Sequence, residues 1–235
     1  MLDKGISVGL LAYKEEKNLE LLIPEIKERL DDIGLPYDII VVDGPKSEDN
    51  SKILCDKYGV KYYNQDGSGF GDAFRSAIKY AYYEYFLVLD ADFSHNPCYI
   101  TEIYKKFITE NYDVVIGSRY IEGGQTFDSK KSILMSKLLN TIYRVVLGLE
   151  PKDISTNYRI YKTEQIKKIN LKCRNYDIQE EILLQLKKTF KGMRIGEIPI
   201  CFVKRKYGES KRDLIPFIIG YVTTLVRLFR IRIMN

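Results

Sequence analysis

The chain has 235 residues, 45% of them hydrophobic and 29% charged, with a formal net charge of +5. This is enough chain for one domain with a sizeable core, and the composition excludes a disordered protein. Four cysteines (Cys55, Cys98, Cys173, Cys201) lie far apart with no C-x-x-C pair, and there is one histidine. That argues against a zinc site, a disulfide scaffold or any mechanism needing several imidazoles, and it fits a reducing, cytoplasmic compartment.

The N-terminus lacks the shape of a signal peptide. Ile6–Leu11 reads as a strand, and Leu19, Leu22, Ile23, Ile26, Leu30 and Ile33 follow at helical spacing. Pro24 inside that run predicts a kink or a late start. Asp38–Asp43 is a buried-type strand closed by the turn signal Asp43-Gly44-Pro45. A helix over about 51–58, a strand at Val60–Tyr63 and a helix over about 71–82 come next. The run Tyr85–Asp90 is a strand, 97–111 a helix, and Val114–Gly117 a strand.

Strands alternate with helical patterns, and the strands are continuous apolar runs. The expected fold is therefore α/β, with a Rossmann-like, mostly parallel sheet covered by helices on both faces. In such sheets ligands bind beyond the carboxyl ends of the strands. Asp43, Asp90 and Asp92 all stand at such ends.

The second half differs. Ser132–Leu147 reads as an amphipathic helix and Met193–Phe202 as a strand, followed by the basic stretch 204–212. From Val203 to Asn235 there are eight Lys/Arg against two acids, a net of +6, which leaves −1 for the first 202 residues. The basic character belongs to the tail, and no nucleic-acid partner is expected. The longest uncharged apolar stretch, Ile215 to Val226, is shorter than the roughly 20 residues of a membrane span. Two units are expected: a catalytic domain over 1–212 and an amphipathic, interfacial helical segment over 213–235.

Asp90-Ala91-Asp92 raises the central chemical question. On an extended chain residues i and i+2 share a side, roughly 6.5 Å apart, so two carboxylates there reach one divalent cation. Mg²⁺ takes one or two carboxylates and fills its other positions with water and substrate phosphates. The other reading is a polar strand end. Gly67-Ser68-Gly69-Phe70-Gly71 precedes a helix but lacks the Lys-Ser/Thr of a P-loop, and reads as a flexible loop. Gly117-Ser118-Arg119-Tyr120 sets an arginine beside the same rim, and Arg205 and Lys211 lie in KRKYGESK. Arginine suits bidentate phosphate contacts and lysine acts as a point charge.

The runs LAYKEEKNL, IIVVDGPKSEDN, GFGDAFRSAI, LDADFSHNP, GSRYIEGG, DISTNYRIYK and EIPICFVKRKYGESK occur in that order over roughly residues 6 to 212. Together they resemble a family 2 glycosyltransferase of the GT-A fold, most of all the polyprenyl-phosphate (dolichol-phosphate) mannose or glucose synthases. The resemblance implies a nucleotide-sugar site formed by Leu11, Tyr13, Glu15, Val41, Asp43, Asp90, Ala91 and Asp92. It implies a Mg²⁺ or Mn²⁺ ion on Asp90, Asp92 and Ser94. It also implies that Arg119, Arg205 and Lys211 hold the donor diphosphate or the acceptor phosphate, and with Asp92 carry the catalysis. There are departures: Leu11 stands where proline is usual, Lys14 where asparagine is common, Val42 where a second aspartate is usual, and Ser132 where an arginine is usual.

The expected reaction is inverting transfer of a hexose from a nucleotide-diphosphate sugar, of the GDP-mannose or UDP-glucose type, to a polyprenyl monophosphate. A hydroxyl acceptor needs a general base, whereas a phosphate monoester is already largely dianionic at neutral pH. His95, before Asn96-Pro97, reads as a helix-entry residue and not as that base. The basic, apolar tail predicts a peripheral enzyme on the cytoplasmic face of a membrane, held by the membrane surface or by a membrane-protein partner. The competing readings are a transferase acting on a saccharide hydroxyl, a sugar-nucleotide nucleotidyltransferase, and an inactive binding module.

Overall fold

The computed structural model describes residues 2–207 and 214–233. The first half follows the alternation. Strands β1 (Ile6–Leu11), β2 (Tyr37–Asp43), β3 (Lys61–Asn64) and β4 (Tyr85–Asp90) alternate with helices α1 (Glu16–Ile33), α2 (Ser51–Tyr58) and α3 (Phe70–Tyr80). A 3-10 turn at Pro97–Tyr99 leads into α4 (Ile100–Thr109), which returns the chain to β5 (Val114–Ser118). Side chains on both faces of β1, β2, β4 and β5 are enclosed, which is why these strands read as unbroken apolar runs.

Pro24 neither delays nor ends α1, which starts at Glu16. Proline has no N–H for the carbonyl four residues earlier. Here that carbonyl, of Glu20, accepts a hydrogen bond from the Tyr58 hydroxyl at 3.1 Å. The orphaned acceptor is satisfied from α2, and the helix continues.

The second half contains elements that the sequence pattern did not reveal. After the short β6 (Gln125–Thr126) and α5 (Lys130–Leu147) come β7 (Arg159–Lys162), α6 (Thr163–Lys168) and α7 (Ile178–Thr189). The strand expected at Met193–Phe202 is two strands, β8 (Ile195–Pro199) and β9 (Cys201–Phe202), broken at Ile200. The large sheet has the order β3-β2-β1-β4-β7-β5-β8, and β9 pairs with β6 in a separate ribbon. Strand β7 is antiparallel to both β4 and β5, while β8 is parallel to β5. The start of β7 therefore reaches the same edge as the ends of β1, β2, β4 and β5.

Two apolar layers cover the sheet. One joins α1, α2 and α4 to one face, and the other joins α3 and α5–α7 to the opposite face. Helix α8 (Leu214–Ile233) packs on the second layer through Tyr221, Thr224 and Leu228. The Tyr143 hydroxyl donates to the Tyr221 carbonyl, Thr224 Oγ1 to Asp177, and Lys188 Nζ to the Ile231 carbonyl. The appendage expected from the sequence is thus a helix seated on α5 and α7. Its other side exposes Val222, Val226, Phe229 and Ile233 at helical spacing. No helix among the described residues is long and apolar enough to cross a membrane.

Candidate active site

The rim is built by strand direction. Leu11, Asp43 and Asp90 end β1, β2 and β4, and Leu11 lies in register with Asp90. The chain leaves the sheet at Asp90, so the extended geometry expected for Asp90-Ala91-Asp92 is replaced by a tight turn. Asp92 Oδ1 accepts the Ser94 N–H at 3.0 Å and the Ser94 hydroxyl at 2.5 Å. Phe93 is held at φ 66°. A bulky residue rarely adopts that backbone, and such strain concentrates at functional sites. Ala91 is buried beneath the turn.

Each carboxylate has its own support. Asp90 Oδ1 accepts from Asn157 Nδ2 at 3.0 Å. Asp92 Oδ2 lies 3.2 Å from the Arg205 guanidinium, and the Lys206 N–H donates to the Asp92 carbonyl at 3.1 Å. The loop after β9 is thereby fastened to the turn.

His95 is 1% exposed, and burial pushes its imidazole below the ordinary range, against the pull of Asp90 and Asp92. The Asp90 N–H donates to Nδ1 at 3.1 Å, so the ring proton resides on Nε2, which lies 3.2 Å from Thr156 Oγ1. The ring packs between Tyr158 and Phe202. His95 is a neutral strut under the rim, with both nitrogens engaged. Because Nδ1 is an acceptor, it offers no proton to Asp90 Oδ2, 3.4 Å away. That oxygen remains available to a cation.

Arg119, just after β5, donates from its backbone N–H and from Nε to Asp153 Oδ2 at 3.0 and 2.7 Å, and from Nη2 to Asp153 Oδ1 at 2.8 Å. Nη2 also donates to Ser155 Oγ at 2.9 Å. Burial opposes both charges. Each outweighs that for the other, so Arg119 lies above its ordinary pKa and Asp153 below. The arginine is thus already neutralised from beneath by a carboxylate that the sequence reading had not singled out.

On the nucleoside side, the exposed Tyr13 donates its hydroxyl to Glu48 Oε1 at 2.8 Å. Glu15 precedes α1 and accepts from Asn18 Nδ2 at 2.5 Å. Asp43 is buried, with Oδ1 taken by the Gly44 N–H at 2.7 Å and Oδ2 by the Tyr62 hydroxyl at 2.8 Å. Val41 lies wholly within the core, so its side chain shapes β2 from inside and does not front the rim. Lys211 lies outside the described residues. The glycine-rich loop packs against the chain at Cys173–Arg174: a Cβ on Gly71 would stand 2.2 Å from the Cys173 carbonyl, and its N–H donates to the Arg174 carbonyl. Close packing, and not a phosphate, explains that glycine.

The donor set suits a hard cation. Among the described residues no group of three or more His, Cys, Asp and Glu could hold a metal. The pair Asp90–Asp92 instead offers the one or two carboxylates that Mg²⁺ or Mn²⁺ takes when phosphates and water complete its shell.

A mostly parallel sheet, a carboxylate pair at its carboxyl edge and an arginine facing that pair are the features of a glycosyltransferase of the GT-A type. The model for "Glycosyl transferase family 2" matches residues 7–170, and the chain belongs to that family. It is 28% identical over 212 residues to an undecaprenyl-phosphate mannosyltransferase of Micrococcus luteus, covering 85% of this chain and 84% of that protein. It is 28% identical to a polyprenol monophosphomannose synthase of Mycolicibacterium smegmatis, covering 85% of this chain and 77% of that one. A dolichol-phosphate mannosyltransferase of Pyrococcus furiosus is 29% identical across 88% of this chain, which spans 58% of that relative. Among solved structures, glucosyl-3-phosphoglycerate synthase from Mycobacterium tuberculosis in complex with Mn²⁺, UDP and phosphoglyceric acid superposes with a TM-score of 0.73 at 16% identity, over 97% of this chain and 78% of that one.

Proposed function

We propose that this chain transfers a hexose from a nucleotide-diphosphate sugar to a polyprenyl monophosphate, with inversion, at the Asp90–Asp92 rim. The observation that carries the reading is the convergence of the carboxylate pair with Arg205 on one strand edge, in a chain similar over most of its length to three polyprenyl-phosphate mannosyltransferases. Tyr13, Glu15 and Leu11 flank the nucleoside, and Asp43 braces the floor beneath it. Asp90 and Asp92, with Ser94 beside them, hold a divalent cation, which when bound supplies Lewis-acid stabilisation of the departing diphosphate.

Arg205 stands 3.2 Å from Asp92 and becomes available to diphosphate oxygens when that carboxylate turns to a cation. Lys211, from its place in the sequence, adds to the positive field, while Arg119, its charge balanced by Asp153, offers the phosphates hydrogen-bond donors and no net charge. The lone imidazole is enclosed, with Nδ1 taken by the Asp90 N–H and Nε2 beside Thr156 Oγ1, so His95 does not serve as a base for the acceptor. An acceptor phosphate, with second pKa near 6, needs positioning more than deprotonation.

The exposed stripe of α8, with Arg230 and Arg232 at its end, supports peripheral placement on an anionic membrane surface at the cytoplasmic face. The reading is tested by incubating the chain with labelled GDP- or UDP-sugars, Mg²⁺ or Mn²⁺ and polyprenyl phosphate. Label is expected in the organic phase for one donor; label that stays aqueous for every donor overturns it.

A further inference from the structure

Asn157 stands at the rim end of β7, where the antiparallel direction of that strand delivers it to Asp90. Its Nδ2 donates to Asp90 Oδ1 at 3.0 Å, and its Oδ1 accepts from Gln179 Nε2, on α7, at 2.8 Å. The Gln179 carbonyl in turn accepts from Arg159 Nη1 at 2.9 Å, and Arg159 Nη2 donates to the Ile154 carbonyl at 2.6 Å. Asn157, Gln179 and Arg159 are all buried.

The orientation of both amides follows from chemistry. A carboxylate only accepts, so Asn157 must turn its NH₂ to Asp90 and its oxygen to Gln179, which must then donate. Reversing Asn157 would set its oxygen against a carboxylate and its NH₂ against another NH₂, inside the protein where both are costly.

The two carboxylates are therefore supported in unlike ways. Asp92 faces a cation, Arg205, that competes for its charge. Asp90 is gripped by a neutral amide that fixes its direction and leaves its charge uncompensated. We infer that Asn157 and Gln179 are positioning residues that aim Asp90 Oδ2 and thereby set the affinity of the rim for a divalent cation. This rests on the reading of the rim as a cation–diphosphate clamp. Partners of this kind behind a metal-binding carboxylate are typically worth 10- to 100-fold in metal affinity, about the effect expected here.

The test measures Mn²⁺ binding by the full chain in the presence of UDP or GDP, by calorimetry or electron paramagnetic resonance, alongside the Mn²⁺ dependence of turnover. Asn157→Ala is expected to weaken Mn²⁺ binding about 10- to 100-fold, with kcat at saturating Mn²⁺ within about threefold of the parent. Loss of the Gln179 donor leaves Asn157 Oδ1 without its partner, lets the Asn157 amide turn, and so lowers Mn²⁺ affinity. Gln179→Met weakens it in the parent but adds nothing in an Asn157→Ala background, because the relay is already cut.

Unchanged Mn²⁺ affinity in folded variants, or strictly additive losses, overturns the inference. Should Asn157→Ala fail to fold, Gln179→Met, which touches neither Asp90 nor the cation, decides the matter alone. Mn²⁺ binding needs no acceptor. A chain that behaves as described yet labels no lipid loses its proposed acceptor and keeps the relay; a parent chain that binds no Mn²⁺ loses both clamp and relay.

Discussion

Arg205 holds Asp92 at 3.2 Å from a loop whose next residue, Lys206, donates its N–H to the Asp92 carbonyl. The cation proposed for the diphosphate and the carboxylate proposed for the metal are thus one unit, joined at both side chain and backbone. A charge-assisted hydrogen bond to diphosphate oxygens is worth about 1.5–3 kcal/mol. Arg205→Ala is therefore expected to lower kcat/KM for the nucleotide sugar by about 10- to 150-fold, with little change in unfolding midpoint. Steady-state kinetics beside urea denaturation check both halves.

Arg119 and Asp153 form a buried bidentate pair, and breaking one partner of such a pair costs about 3–5 kcal/mol. Asp153→Asn is expected to destabilise the chain by that order in urea. Arg119→Met with Asp153→Leu should recover much of the loss in stability while leaving transfer activity impaired. A double variant with full activity would take Arg119 out of the phosphate-binding set.

Glu180 is buried in α7, and burial pushes its pKa up to about 8, with Arg159 pulling it down and Asp177 and Asp153 pushing it up. The folded value lies above the unfolded one. Its contribution to stability is therefore fully present below the unfolded value of 4.5 and is lost as pH rises toward 8. The slope is at most about 1.4 kcal/mol per pH unit. Urea denaturation between about pH 5 and pH 8.5 should show that decline. Glu180→Gln should flatten it.

Val222, Val226, Phe229 and Ile233 face away from the protein on α8. Inserting one such side chain into lipid gains about 1.5–3 kcal/mol. The full chain is expected to float with anionic liposomes, and Val226→Glu with Phe229→Glu to abolish flotation without lowering thermal stability. Equal flotation of both proteins would remove this stripe from membrane binding.

The parallel half of the fold was legible because strands enclosed on both faces must be apolar throughout, and Asp43, Asp90 and Asp92 mark where those runs end. Strand β7 was not. It has four residues, begins with the fully buried Arg159, and takes its direction from pairing with β4 and β5. Asn157, Ser155 and Asp153 lie in DISTNYRIYK, but no local pattern says that this segment arrives at the rim. Helix α7 was missed because Gln179, Glu180 and Glu181 are buried together with its apolar residues, which erases the two-faced pattern of an ordinary surface helix. Pro24 misled in the other direction, since the Tyr58 hydroxyl that rescues the Glu20 carbonyl comes from another helix.

The most direct test of the central claim compares two acceptors that differ only in the phosphate. With the same labelled donor and metal, the chain is given polyprenyl phosphate or the corresponding polyprenol. Transfer to the phosphate alone, lost together with Mn²⁺ dependence in Asp92→Asn, is the predicted result. Equal transfer to the free alcohol, or label that enters only a saccharide acceptor, would contradict it.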